Sequence, residues 1–223
     1  MLEEALSLAQ SLQDPFDILV VYSSLGDWAI LQDDYATARR YFLEALEGRR
    51  QLGTRWIIVA GLWQVANIMR LQGDYPQAEP MYAEALALAR ALGDQRSEAH
   101  IAQELGAVAI HLSDVERATT LLAESLVSFR KWADPLGIAR CLLGFADLRE
   151  VHGHMEQTAR VLSFVESWLQ SNQVQLVHFD RSNYERGVTA ARFQLDEASF
   201  ATAWAEGRAL TMDQAIELAM SYD

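Results

Sequence analysis

The chain is 223 residues long, 51% hydrophobic and 22% charged, with a formal net charge of −13 and an isoelectric point near 4.8. That make-up is that of an ordered protein, and its acidic balance opposes nonspecific attraction to phosphate backbones, which clustered Lys and Arg provide. A single cysteine, Cys141, excludes an internal disulfide and a multi-cysteine zinc site and fits a reducing, cytoplasmic setting; it reads as a small buried residue.

Met1 is followed by Leu2-Glu3-Glu4, with neither a basic nor an apolar leader segment, so no secretory signal is expected. Ala5 and Leu6 stand one repeat length before Ala45 and Leu46, in the frame set out next. Residues 1–14 therefore read as a half repeat, the second helix of a pair whose first is missing. The expectation is a fragment of a longer array, or a homodimer formed through the open N-terminal end.

From residue 15 one fixed frame runs without insertion or deletion. Tyr35, Tyr75, Val115 and Met155 align, and with them Ala38, Ala78, Ala118 and Thr158, then Phe42, Tyr82, Leu122 and Leu162, then Gly26, Ala66, Gly106 and Ala146. A fixed period in this range marks a solenoid, in which each unit buries its apolar face against its neighbours. The repeats are expected at 15–53, 54–93, 94–133 and 134–173.

The second of these is the cleanest. A first helix over about residues 56–72 carries Leu62, Val65, Ala66 and Met69 on one stripe, Gly73-Asp74 stops it, and a second helix over about 75–92 buries Ala78, Tyr82, Ala85, Leu86 and Ala89 before Gly93-Asp94. Asp14-Pro15 and Asp134-Pro135 are start signals, an N-cap followed by a proline whose missing N–H costs nothing there. Small residues in the Gly26 and Ala45 columns let helices approach; Leu25, Val65, Leu105 and Phe145 fill the space between. The longest apolar run, Trp56 to Trp63, is far short of the roughly 20 residues of a membrane span.

After a loop near residues 171–177 the frame slips. Asp196, Trp204 and Gly207 follow Asp74, Tyr82 and Ala85 at an offset of 122. A degenerate hairpin with helices at about 179–194 and 197–208 is expected, and then a short helix capped by Thr211 and Gln214. Residues 174–223 thus form a C-terminal repeat plus a capping helix, and residues 1–223 a single solenoid.

The run Gly73-Asp74-Tyr75-Pro76-Gln77-Ala78 with Tyr82 and Ala85, and the pair Leu105-Gly106, resemble the tetratricopeptide repeat over about residues 2–170. The resemblance implies an all-α fold, a right-handed α-solenoid of about ten antiparallel helices, and a surface for protein binding. Two features depart from it: the period is about 40 residues instead of about 34, and Arg90 stands where the repeat usually has a proline. The run from Phe200 to Ala215 resembles the segment closing the helical-repeat region of large ATP-binding LuxR-type transcriptional regulators. This implies a sensor or adaptor arm coupled to ATPase and DNA-binding domains of the same regulator. The chain itself has no GxxxxGK[ST] phosphate loop.

Catalytic patterns are weak. His152 and His154 flank Gly153 in a turn, His100, His111 and His178 are scattered with no nucleophile elbow, and Asp33-Asp34 and Glu3-Glu4 suit capping and solubility. No enzyme activity, metal or cofactor is expected, and neither nucleic acid nor membrane as direct partner. The six tryptophans, Trp56 and Trp132 among them, read mostly as packing, with Trp63 set apart. If the stack resembles tetratricopeptide arrays, first helices line a concave face. Trp63, Asn67, Arg70, His100, Gln103 and Arg140 then form a mixed aromatic, amide and cationic partner-binding patch, of the residue types enriched at interface hot spots. Val20, Ala60, Asp147 and Glu150 fall in neighbouring inner columns. The family's carboxylate clamp is not expected, because Trp63 stands where that clamp has a Lys. The preferred function is a protein-interaction and signal-sensing module binding a protein or peptide segment. The alternative is a small-molecule receptor using the concave face.

Overall fold

The structure is a computed structural model that describes residues 4, 7, 11, 15–176 and 178–221. The half repeat expected at residues 1–14 lies mostly outside the described residues; Glu4, Ser7 and Ser11 are helical and exposed. Every regular element among the described residues after that segment is an α-helix: α1 Pro15–Leu31, α2 Tyr35–Leu52, α3 Arg55–Leu71, α4 Tyr75–Leu92, α5 Gln95–His111, α6 Val115–Lys131, α7 Pro135–Val151, α8 Met155–Ser171, α9 His178–Gln194, α10 Glu197–Ala209 and α11 Met212–Met220. The fold is an all-α helical repeat. It divides into two compact units, Met1–Ile101 and Ala102–Asp223, with the division inside α5.

The turns recur at every half period. Positions 33, 73, 113 and 153 end the first helix of each pair and positions 53, 93, 133 and 173 the second, and all of them adopt positive φ. Glycine supplies that conformation at Gly53, Gly73, Gly93 and Gly153, while Asp33, Ser113, Ala133 and Gln173 take it with a side chain. The next backbone N–H then donates back across the last helical turn, as from Asp74 to the Met69 carbonyl at 2.9 Å and from Asp134 to Phe129 at 3.0 Å.

Aspartates start most helices. Asp34, Asp94, Asp114, Asp134 and Asp196 each accept a bond from a backbone N–H in the first turn. Asp74 does not cap α4 through its side chain, as the sequence suggests; its carboxylate accepts instead from the Arg39 guanidinium at 3.3 Å. Thr211 and Gln214 form the expected reciprocal capping box at the start of α11.

In the first unit the α1–α2 and α3–α4 hairpins pack through the small columns. A Cβ on Gly26 would lie 2.5 Å from the Phe42 ring, so glycine lets that ring sit between the helices without shifting. Phe42, Tyr82, Leu25, Val65 and Ala66 are buried as their columns require. In the second unit Gly106 meets Leu122, and Gly137 meets Phe129. The degenerate hairpin packs on α8. There Gly207 brings α10 so close that a Cβ would overlap the Arg160 carbonyl oxygen, and Ser163 donates to the Trp204 carbonyl at 2.6 Å. α11 is fastened to α7 by the buried Arg149, which donates to Gln157 and to the Ser221 carbonyl, and to α6 by the Arg130–Asp213 pair at 2.7 Å.

Candidate interaction surface

α1 and α3 carry an exposed apolar cleft. Phe16 and Val20 lie one turn apart on α1, and Trp56 and Ala60 hold the same relation on α3, so each pair stands on one side of its helix. With Leu19, Ile57 and Arg49 they line a cleft of about 110 Å³. Trp56 is 63% exposed, and Phe16 and Val20 are each 47% exposed. The expectation that Trp56 serves packing is therefore corrected: at the start of α3 its side chain is mostly exposed. The sequence reading missed Phe16 as well, although both stand four residues before inner positions it did assign.

Arg49 closes one side of this region. Its guanidinium reaches across the hairpins, donating to Ser23 Oγ at 2.7 Å and to Gln64 Oε1 at 2.6 Å. Burial holds its pKa below the ordinary arginine value, while burial raises that of the neighbouring Asp27 carboxyl against the lowering effect of Arg49.

Further along the same unit, Trp63 stacks on His100 with ring centroids 5.9 Å apart and 23° between planes. The indole Nε1 is buried with no hydrogen-bond partner among the described residues. Asn67 and Arg70 meet at one phenol: Tyr82 donates to Asn67 Oδ1 at 2.7 Å and accepts from Arg70 Nε at 3.3 Å. This network explains how a tyrosine sits fully buried in a column that elsewhere holds Phe or Leu. It also draws Arg70 inward, to 8% exposure.

The remaining two residues of the expected patch, Gln103 and Arg140, belong to the second unit. Gln103 is buried, and its Oε1 has no partner among the described residues. Arg140 is half-buried and paired with Asp180 of α9 at 2.8 Å. The same helix engages the neighbouring inner columns of α7: Asn183 donates to Asp147 at 2.7 Å, and Arg186 bridges Asp147 and Glu150 at 2.7 Å each. Burial pushes the Asp147 carboxyl up to about 6, against the lowering influence of Asn183 and Arg186. These α7 positions thus form a charged seam with α9.

Elsewhere, Cys141 is fully buried, and burial raises its thiol pKa well above the ordinary range, which keeps it protonated. His152 Nδ1–H donates to the Leu148 carbonyl at 2.7 Å, closing its own helix, and stacks on His154 at 6.5 Å. Among the described residues no group of three or more His, Cys, Asp or Glu is placed to hold a metal ion, and no helix is long and apolar enough to cross a membrane.

Two family models match the chain, over residues 58–131 and 18–52. Both are of the tetratricopeptide repeat. The tetratricopeptide repeat is generally a non-enzymatic scaffold for protein–protein interaction. Among solved structures, the crystal structure of BtubC (BKLC) from P. vanneervenii matches with a TM-score of 0.66 and 19% sequence identity, covering 97% of this chain and 86% of that one. At that identity the match speaks to fold. A search of curated proteins gives no match.

Proposed function

We propose that this chain is a peptide-binding, signal-sensing repeat module, with its inner columns as the docking surface. The carrying observation is the apolar cleft of the first unit, where Phe16, Val20 and Trp56 stay exposed in the same unit as the Trp63–His100 stack. Exposed aromatic side chains clustered around a recess are the usual anchors of an interface, whereas scattered ones mean little. At about 110 Å³ the cleft takes one side chain of a peptide and is smaller than the ~300–1,000 Å³ of small-molecule sites, so this cleft suits a peptide anchor better than a metabolite. Trp63, Asn67 and His100 extend the surface along the first unit, whereas Arg70 is buried against Tyr82, and in the second unit Gln103 is buried and Arg140 is paired with Asp180. The regulatory setting, an arm of a larger ATP-dependent transcriptional regulator, rests on the resemblance carried by the run from Phe200 to Ala215.

The test is selection of peptides from a displayed random library against the whole chain, followed by affinity measurements on variants. Trp56→Ala is expected to weaken the selected peptides by about thirtyfold, the mark of a hot spot of ~2 kcal/mol, while circular dichroism stays unchanged. Peptides that bind Trp56→Ala and Phe16→Ala as tightly as the parent would move the docking surface elsewhere.

A further inference from the structure

The second unit holds a larger cavity than the cleft of the first. It measures about 380 Å³ and lies between the turn that leads into α8 and the turn that follows α9. From the start of α8 it is lined by His154, Met155, Glu156, Gln157 and Arg160, and from the end of α9 by Gln194 and Leu195. Its volume falls within the ~300–1,000 Å³ of small-molecule sites.

The polar groups of α8 are held from outside the cavity and keep bonding capacity within it. Glu156, Gln157 and Arg160 are spaced by three and four residues, on one side of the first turns of the helix. Arg149, 2% exposed, donates to Gln157 Oε1, which fixes the amide with its oxygen toward Arg149 and its Nε2 donor turned away. Arg160 is oriented by Glu206 of α10, which accepts from Nε at 2.6 Å. Its Nη2 reaches Glu156 only at 3.4 Å, and its Nη1 makes no hydrogen bond among the described residues. The Glu156 carboxylate, 55% exposed, has no closer basic partner among those residues.

The lining therefore sets a donor pair, Arg160 Nη1 and Gln157 Nε2, on the same side of α8 as a weakly engaged carboxylate. A simple anion would meet Glu156 and Glu206 in a chain of net charge −13, and a simple cation would meet the Arg160 guanidinium. A small molecule that carries both charges a few ångströms apart suits both groups. We infer that this cavity binds a free α-amino acid, with its carboxylate on Arg160 and Gln157, its ammonium on Glu156 and an aliphatic side chain against Met155 and Leu195. A residue within or at the end of a peptide lacks one or both of those charges, so the ligand differs in kind from a peptide docked on the first unit.

The probe is L-leucine, titrated calorimetrically into the whole chain beside three analogues: 4-methylpentanoate, which lacks the ammonium, isopentylamine, which lacks the carboxylate, and leucinamide, which mimics a peptide N-terminus. Leucine should bind at least about tenfold more tightly than each of them. Glu156→Gln should cost leucine at least about tenfold without weakening 4-methylpentanoate, and Arg160→Gln should cost leucine as much without weakening isopentylamine. Circular dichroism checks the fold of each variant. Arg160 also ties α8 to α10, so if its variant unfolds, the Glu156 variant decides alone. No binding of leucine, or leucine binding indifferent to Glu156→Gln, overturns the inference. Equal binding of 4-methylpentanoate overturns it in favour of a plain anion site. Equal binding of isopentylamine or leucinamide overturns it in favour of an amine or a peptide N-terminus.

Discussion

At positions 133 and 173 an alanine and a glutamine stand where other repeats place glycine. Ala133 has φ 51° and Gln173 φ 54°, in a region where a Cβ crowds the following carbonyl at a cost of roughly 1–2 kcal/mol. Gly53, Gly93 and Gly153 hold the equivalent conformations without that crowding. Ala133→Gly should therefore raise stability by about 1 kcal/mol, even though glycine frees the unfolded chain, and urea denaturation would show it as a higher midpoint at constant slope. The opposite sign is expected at the close approaches. Gly26→Ala meets the edge of the Phe42 ring, a side chain that can give, and Gly207→Ala meets the Arg160 backbone, which can move only with its helix. Overpacking of this kind costs about 1–3 kcal/mol, offset in part by the helix propensity of alanine, so Gly207→Ala should be the more damaging of the two in the same denaturation experiment.

At the scale of elements, a seam of charged and polar side chains joins α9 to α7, and one group there titrates in an accessible range. The Asp147 carboxyl, raised by burial from 3.8 to about 6, binds its proton more tightly in the folded state than in the unfolded one. Its contribution to stability is full below pH 4, falls as the pH rises toward 6, and is flat above; a shift of about two units corresponds to roughly 3 kcal/mol. The difference in unfolding free energy between the parent and Asp147→Asn, followed from pH 4 to 7, should show that slope, and a flat difference would mean that Arg186 and Asn183 compensate the burial fully. Helix positions and turns were legible in the sequence because caps and left-handed sites recur at each half period, and the buried columns because period and burial share one cause. The seam was not. Arg140, Asp147 and Glu150 fall in inner columns like those of Trp63 and Asn67, and only the docking of α9, which comes after the slip in frame, determines that they meet Asp180, Asn183 and Arg186. Trp56 was misread for a related reason: the sequence carries its period but not where along α3 the neighbouring helices stop covering it.

For the whole molecule the net charge of −13 sets two opposed effects of salt. Screening weakens pairs such as Arg50–Glu84 and Arg160–Glu206, each worth ~0–1 kcal/mol at the surface. It also weakens the mutual repulsion of 31 acidic groups against only 18 Lys and Arg, which destabilises the compact state. With so large an excess of carboxylates the second effect should win, so the thermal midpoint at pH 7 is expected to rise between low salt and about 0.15 M, where the screening length falls to ~8 Å. Binding should respond little. A peptide anchored by apolar side chains between Phe16 and Trp56 keeps most of its affinity over the same range. Measuring stability and peptide affinity along one salt series separates the two: a midpoint that falls with salt would mean that paired surface charges outweigh net repulsion, and a peptide affinity that falls steeply with salt would mean that charge and not the apolar anchors carries binding.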